Sequence, residues 1–146
     1  MKAALLLALR TTLGMLLVIW GVVKIVASDR ATAISDNFYG GLLSLDSLIP
    51  LLGIAQVALG LLVVVGLFRT ITYSLQAVIL VGGAIAIWRF ILDPLGMYLM
   101  PQEQAQLLFY PSSIIAVASL IMLAFKSDDK FALDELRGAR HEVAEA

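Results

Sequence analysis

The chain has 146 residues, of which 61% are hydrophobic and 14% are charged, and its formal net charge is −1. A soluble domain carries about a quarter charged residues, so this composition indicates an integral membrane protein. The near-neutral charge and the absence of a basic tract argue against nucleic acid as a partner. The sequence has no cysteine, and its one histidine is His141. We therefore expect no dithiol chemistry, no thiolate metal site and no haem or metal held by histidines within the membrane.

Four apolar segments have the roughly 20 residues that a helix needs to cross a hydrocarbon core of about 30 Å. They cover residues 3–27, 48–68, 72–92 and 107–125. The connections between them are short, which predicts an all-α integral membrane fold, a four-helix transmembrane bundle forming one domain over residues 1–126. Residues 127–146 form a polar C-terminal tail.

Basic residues are distributed unevenly between the two ends of the predicted bundle. With four crossings, both termini and the 69–72 turn share one side, which holds seven basic residues against three on the other. Cytoplasmic loops carry an excess of lysine and arginine. The sequence thus predicts that both termini lie in the cytoplasm.

Small residues recur at heptad or near-heptad spacing on the predicted helices. In lipid there is no hydrophobic drive between helices, so small residues that allow close approach supply the association. A spacing of seven favours left-handed packing, and we expect a left-handed bundle. The predicted helix-packing residues are Gly14, Gly21, Gly53, Gly60, Gly82 and Ser119.

The regions between and after the apolar segments carry several local signals. The 28–47 connection is interpreted either as an interfacial loop or as a lid over the end of the bundle. The fourth helix is expected to begin near Pro101 as an interfacial turn and to bend at Pro111. Asp128 or Asp129 is expected to cap a short, partly frayed tail helix. Arg10, near the cytoplasmic interface, is expected to reach toward lipid headgroups.

A group of polar residues lies near the predicted outer ends of the helices. Three of them, Lys24, Gln56 and Arg89, fall on the small-residue faces that should point inward. Burying a cation near the centre of a membrane costs about 2.5–3.5 kcal/mol on insertion scales, so such residues need partners. The predicted ligand-binding set comprises Lys24, Gln56, Arg89, Tyr110 and Ser112.

Three interpretations of this polar group remain open. Lys24 and Arg89 could reach outward and pair with Asp29, Asp36 or Asp93 at the rim. Alternatively, the two cations and the glutamine line a cavity that holds a carboxylate, a lipid headgroup or a quinone carbonyl. A proton relay is the least favoured, because the apolar spans contain no acidic residue or histidine that would titrate near neutral pH.

The pattern resembles the DoxX family of small four-helix membrane proteins. The resemblance rests on Arg10 opening the first helix, on Gly14, on the Gly21-Val-Val-Lys24 ending, and on GIAQVALGLLVVVGLFR over residues 53–69. It covers residues 8–126 and implies association with membrane redox systems, such as quinone-linked sulfur oxidation or partnership with oxidoreductases. Relatives of this shape also act as membrane chaperones or assembly factors.

Two features of this chain limit what the resemblance implies. Many DoxX-like members carry an acidic residue where this chain has Gln56, so a charge-pair or proton role does not transfer. The related four-helix quinone and epoxide reductases use cysteines, which this chain lacks. No residue set is suited to covalent catalysis unaided, so no catalytic residue is predicted.

The leading hypothesis, which follows from this resemblance, is a DoxX-like protein of the bacterial inner membrane that serves as an accessory or quinone-proximal component of a membrane redox system. Its expected contacts are the lipid bilayer, a quinone or an anionic lipid, and other membrane redox proteins. The alternative is a structural subunit or assembly partner of a larger membrane complex, with no ligand chemistry of its own.

Overall fold

The computed structural model describes residues 1–38 and 48–137, and these residues form helices and turns without any β-strand. Four segments are long and apolar enough to cross a membrane, namely Lys2–Val26, Leu48–Val65, Arg69–Ala86 and Leu107–Ala124. The predicted all-helical fold with four segments of spanning length is therefore confirmed. The α-helices are α1 (Lys2–Val26), α2 (Ser28–Phe38), α3 (Leu48–Val65), α4 (Arg69–Ala86), α5 (Trp88–Leu92) and α6 (Pro111–Ala124), and residues 133–137 of the tail are also helical, as expected for a short tail helix.

Helices α1 and α3 form the closest pair in the fold. They run antiparallel, with Gly14 facing Gly60 and Gly21 facing Gly53. A Cβ atom built on Gly14 would lie 2.8 Å from the Gly60 carbonyl oxygen, and one on Gly53 would lie 2.7 Å from the Gly21 carbonyl oxygen. These backbones approach so closely that only glycine fits, as expected for helices that associate through small residues.

Helices α4 and α6 form the second antiparallel pair. Helix α4 also contacts α3, and helix α6 also contacts α1. Buried side chains from both pairs meet in one core, which includes Leu13, Val63, Tyr73 and Met122. Ser119 of α6 is fully buried, as predicted for a packing residue, and its hydroxyl donates to the Ala116 carbonyl oxygen at 2.7 Å.

Several helix ends differ from the sequence-based boundaries. Helix α3 ends at Val65 rather than at residue 68, because Gly66 adopts a φ of +74° that terminates the helix. The predicted 72–92 helix is two helices, since α4 stops at Ala86 and α5 begins at Trp88. The break follows the Gly82-Gly83 pair, a sequence feature that commonly accompanies helix kinks.

The segments around the prolines and the first connection also differ from expectation. Helix α6 starts at Pro111, which occupies its first turn, and is preceded by 3-10 turns at Gln102–Gln104 and Leu107–Phe109. The first half of the 28–47 connection is the helix α2. Its second half, residues 39–47, and residues 138–146 with His141 lie outside the described residues.

The two ends of the bundle are covered by different segments of the chain and by different kinds of side-chain contact. We call one the tail end, where the 66–69 turn meets residues 126–137, and the other the loop end, where α2 and α5 meet residues 107–109. At the loop end the rings of Phe38, Phe90 and Phe109 pack edge to face, with centroids 4.8–5.4 Å apart. This arrangement is favourable for aromatic pairs and ties α2 to α5.

Candidate functional site at the loop end

The structure brings Lys24 and Gln56 together at the loop end of the α1–α3 pair. The Lys24 ammonium donates a hydrogen bond to the Gln56 Oε1 atom at 2.8 Å. A Cβ atom on Gly53 would lie 3.0 Å from the Lys24 Cβ atom, so glycine at this position gives the lysine stem room to cross between the helices. The contact agrees with the prediction that these two side chains share one interface.

The Lys24–Gln56 pair has several hydrogen-bond donors for which the described residues provide few acceptors. An ammonium carries three N–H donors, and Gln56 takes one of them, while the Gln56 amide nitrogen adds two more. Within residues 1–38 and 48–137, Lys24 makes no ion pair with a carboxylate. Its nitrogen lies 6.0 Å from the centre of the Trp20 ring. Such a group is suited to an acceptor such as a carbonyl, a carboxylate or a phosphate.

Arg89 does not join this pair. It lies on α5, which packs mainly against α4, α6 and the 107–109 turn. The side chain is exposed, and its guanidinium carbon lies 5.6 Å from the centre of the neighbouring Trp88 ring. Tyr110 is half-exposed and Ser112 is partly buried at the start of α6. The predicted five-residue set therefore does not form one site: only Lys24 and Gln56 contact each other, and the other three residues lie on α5 and at the start of α6.

Asp93 stabilises a turn instead of pairing with Lys24 or Arg89 at the rim, which was one interpretation of the sequence. Its buried carboxylate accepts hydrogen bonds from the backbone N–H groups of Met97, Tyr98 and Leu99, at 2.6–2.8 Å. Burial alone would raise the pKa of Asp93, but these backbone donors outweigh it and lower the pKa to about 2. The carboxylate therefore stays ionised and orders the turn after α5.

A buried charge cluster at the tail end corrects two expectations. Arg10 is 3% exposed and does not reach headgroups, because its guanidinium donates to the Asp129 carboxylate at 2.8 Å. The Tyr73 hydroxyl donates to the same carboxylate oxygen at 2.7 Å. Asp129 is thus fully buried in the bundle and does not cap a frayed tail helix. A buried ion pair needs such added hydrogen bonds to offset the loss of hydration.

Arg69 fixes the tail segment on the bundle. Its guanidinium donates to the carbonyl oxygens of Lys126 and Asp129, and to the Glu135 carboxylate at 2.8 Å. The pKa of Glu135 is lowered, first by its hydrogen bond with Lys130 and then by the one with Arg69. Residues 126–137 therefore dock across the tail end as a folded segment.

Gln76 is a buried polar residue that the sequence analysis did not single out. It lies one turn beyond Tyr73 on α4, is fully buried, and neither polar atom of its amide has a partner among the described residues. Arg10 Nε and Asp129 Oδ1 are likewise buried without a partner there. The sequence signal that could have identified Gln76 is a polar residue three positions after a tyrosine in an otherwise apolar segment.

The rotation of α4 differs from the predicted one. Tyr73, Gln76 and Ala84 face the core, whereas Gly82 is exposed and a Cβ atom added to it would meet nothing within 4 Å. Gly82 therefore makes no close contact between the described helices. The hydroxyl of Tyr73, on the face of α4 that points to the core, donates to Asp129.

The described residues contain no cluster of three or more histidine, cysteine or acidic side chains that could hold a metal ion. No family model, curated protein or solved structure matches this chain.

Proposed function

We propose that this chain is a DoxX-like inner-membrane protein that binds the acceptor group of a quinone or an anionic lipid as an accessory component of a membrane redox system. The four apolar helices cross the bilayer as a left-handed bundle, with both termini in the cytoplasm. The tail end then lies at the inner surface, and the Lys24–Gln56 pair lies in the outer half of the membrane.

One observation supports this proposal above the others. The Lys24 ammonium lies in an apolar helix interface, donates to the Gln56 amide oxygen at 2.8 Å, and has no carboxylate partner among the described residues. Gln56 follows the start of α3 at Leu48 by eight residues, about 12 Å along a helix axis. A polar group kept at such depth without a neutralising partner is by default a candidate for function.

The chemistry of the pair is binding. Two unused ammonium N–H groups and the Gln56 amide N–H groups can donate to a quinone carbonyl, which gains electron density when the quinone is reduced. The same donors suit a lipid phosphate. Oxidation and reduction themselves belong to a partner oxidoreductase in this proposal, because the chain has no cysteine to carry them.

Native mass spectrometry, with lipid and quinone extraction, tests the proposal on protein purified gently from its own membrane. Lys24→Met removes the donors but keeps an unbranched side chain, and Gln56→Leu removes the amide. Lys130→Met is the matched control, since this lysine is exposed at the other end and pairs with Glu135.

A quinone or anionic lipid that is retained by wild type and Lys130→Met, and lost from both Lys24→Met and Gln56→Leu, would support the proposal. A chain that carries neither molecule and co-purifies with a larger complex in all variants would contradict it. That result would favour a structural subunit or assembly partner.

A further inference from the structure

An apolar groove opens on the outer surface between α4, α5 and α6. It has a volume of about 330 Å³ and lies toward the loop end. Its walls come from the last turns of α4, from α5 and from the first turns of α6. The lining residues are Val81, Ala84, Ile85, Trp88, Ile91, Leu92, Ser113 and Ala116.

The helix break at Ile87 gives the groove its shape. Helix α5 restarts at Trp88 after this break, and Phe90 on its other side is held in the aromatic cluster with Phe38 and Phe109. Because Phe90 anchors α5 to the loop end, Trp88 and Leu92 are left on the side that lines the groove. The groove is therefore held open by contacts made elsewhere in the fold.

A cation lies beside this groove. Arg89 is exposed, makes no ion pair with any carboxylate in residues 1–38 and 48–137, and rests near the ring of the groove-lining Trp88. The lining residues run from Val81 on α4 to Leu92 on α5, so the two helices together give the groove a wall of about three helical turns. An apolar slot of this length beside an unpaired cation matches an acyl chain with an anionic head.

We propose that this groove binds an anionic phospholipid, with an acyl chain in the slot between α4, α5 and α6 and the phosphate at Arg89. The proposal rests on the membrane insertion proposed above but not on a ligand at Lys24 and Gln56. Arginine suits the phosphate because its planar guanidinium can donate two parallel hydrogen bonds to phosphate oxygens. Tryptophan beside it suits the lipid–water boundary.

Trp88 supplies an internal reporter, since the chain has two tryptophans. In a Trp20→Phe background Trp88 is the only tryptophan, so its emission is excited selectively at wavelengths that tyrosine does not absorb. The protein is reconstituted in phosphatidylcholine vesicles that contain a fixed fraction of either brominated phosphatidylglycerol or brominated phosphatidylcholine. Bromine on an acyl chain quenches tryptophan only at short range, so the quenching reports which lipid occupies the groove.

We expect brominated phosphatidylglycerol to be enriched at Trp88 about fivefold over brominated phosphatidylcholine, the effect of one basic side chain near an anionic lipid. Arg89→Gln should abolish this preference. Arg30→Gln is the matched control, because Arg30 is an exposed arginine on α2 after the loop-end terminus of α1, and it should leave the preference intact.

Ala116→Leu fills the slot without changing the charge and should reduce the quenching of Trp88 by both lipids. Val117→Leu is the control, because Val117 is exposed next to Ala116, and it should leave the quenching unchanged. Equal quenching by the two lipids in wild type, or a preference that survives Arg89→Gln, would overturn the proposal. So would native mass spectra that show a neutral isoprenoid quinone lost on Ala116→Leu and no phospholipid. Lys24→Met does not change Trp88 or Arg89. The lipid preference at Trp88 can therefore be observed even if no ligand binds to the Lys24–Gln56 pair.

Discussion

At the scale of single residues, Asp93 orders the backbone of the turn that follows α5. Its carboxylate accepts three backbone N–H groups in the turn after α5, and its pKa lies at about 2, below the usual 3.8. A carboxyl whose pKa is lower in the folded state stabilises that state above its unfolded pKa. The stabilisation is therefore complete above about pH 4 and is lost as the pH falls toward 2.

We expect hydrogen-exchange protection of the Met97, Tyr98 and Leu99 amides to persist at pH 4 and to fall as the pH approaches 2. Asp93→Asn should lose part of this protection at every pH and show no such transition. Asp29→Asn, an exposed acid at the same end, serves as the control and should behave as wild type. Protection that is independent of pH in wild type would refute this account.

Residue patterns predicted one half of the candidate site and missed the other half for physical reasons. Lys24 and Gln56 lie on regular helices, so helical periodicity was enough to place them on one interface. Arg89 follows the break at Ile87, and the face of α4 that points to the core carries Tyr73, whose hydroxyl donates to Asp129. A projection of one continuous helix shows neither the break nor the contact with Asp129, which lies 56 residues later in the chain.

Among the elements, the α1–α3 pair is the most constrained. Its glycine contacts are backbone to backbone, so an added methyl group at Gly60 would meet the Gly14 carbonyl oxygen at 2.7 Å and could not be relieved by a side-chain movement. The spacing of the glycines marked Gly14, Gly21, Gly53 and Gly60 as packing residues, but it did not indicate which helices pair. The helix boundaries were predicted less well, since Gly66 and the Gly82-Gly83 pair end or break helices that apolar character alone would continue.

We expect Gly60→Ala to lower the free energy of unfolding by about 1–3 kcal/mol, the usual cost of overpacking a core. Gly82→Ala is the matched control on a spanning helix, because open space surrounds Gly82. It should leave stability unchanged or raise it by up to about 1 kcal/mol through helix propensity. Unfolding in mixed micelles with increasing SDS measures both variants. Similar losses for the two would contradict the close-contact explanation.

In the whole molecule, the buried Arg10–Asp129 pair joins the first helix to a segment 119 residues later. The sequence marked Asp128 and Asp129 as equivalent, yet only Asp129 is buried, while Asp128 makes an exposed pair with Lys2. No local pattern distinguishes adjacent aspartates. The docked segment was therefore missed, although the four spanning segments were found.

These neighbouring aspartates provide a matched test. Asp129→Asn leaves Arg10 as a buried cation without its ionised partner and should cost about 3–5 kcal/mol of unfolding free energy. Asp128→Asn should cost at most about 1 kcal/mol, as for exposed pairs. The triple variant Arg10→Met, Tyr73→Phe and Asp129→Leu should recover most of the loss, because it leaves neither a buried charge nor a buried hydroxyl without its acceptor. Equal effects of the two single changes would argue against a docked segment.

The same pair bears on how the protein is made. Chains are synthesised at about 5–20 residues per second, so about 6–24 s pass between the appearance of Arg10 and that of Asp129. In the membrane topology proposed above, α1 carries a cation without its carboxylate throughout that interval, and we expect the helix to keep this charge at the membrane surface. We therefore expect α1 to reach its final depth only after residue 129 has been added, so that a chain interrupted earlier differs from a finished one in the position of Arg10.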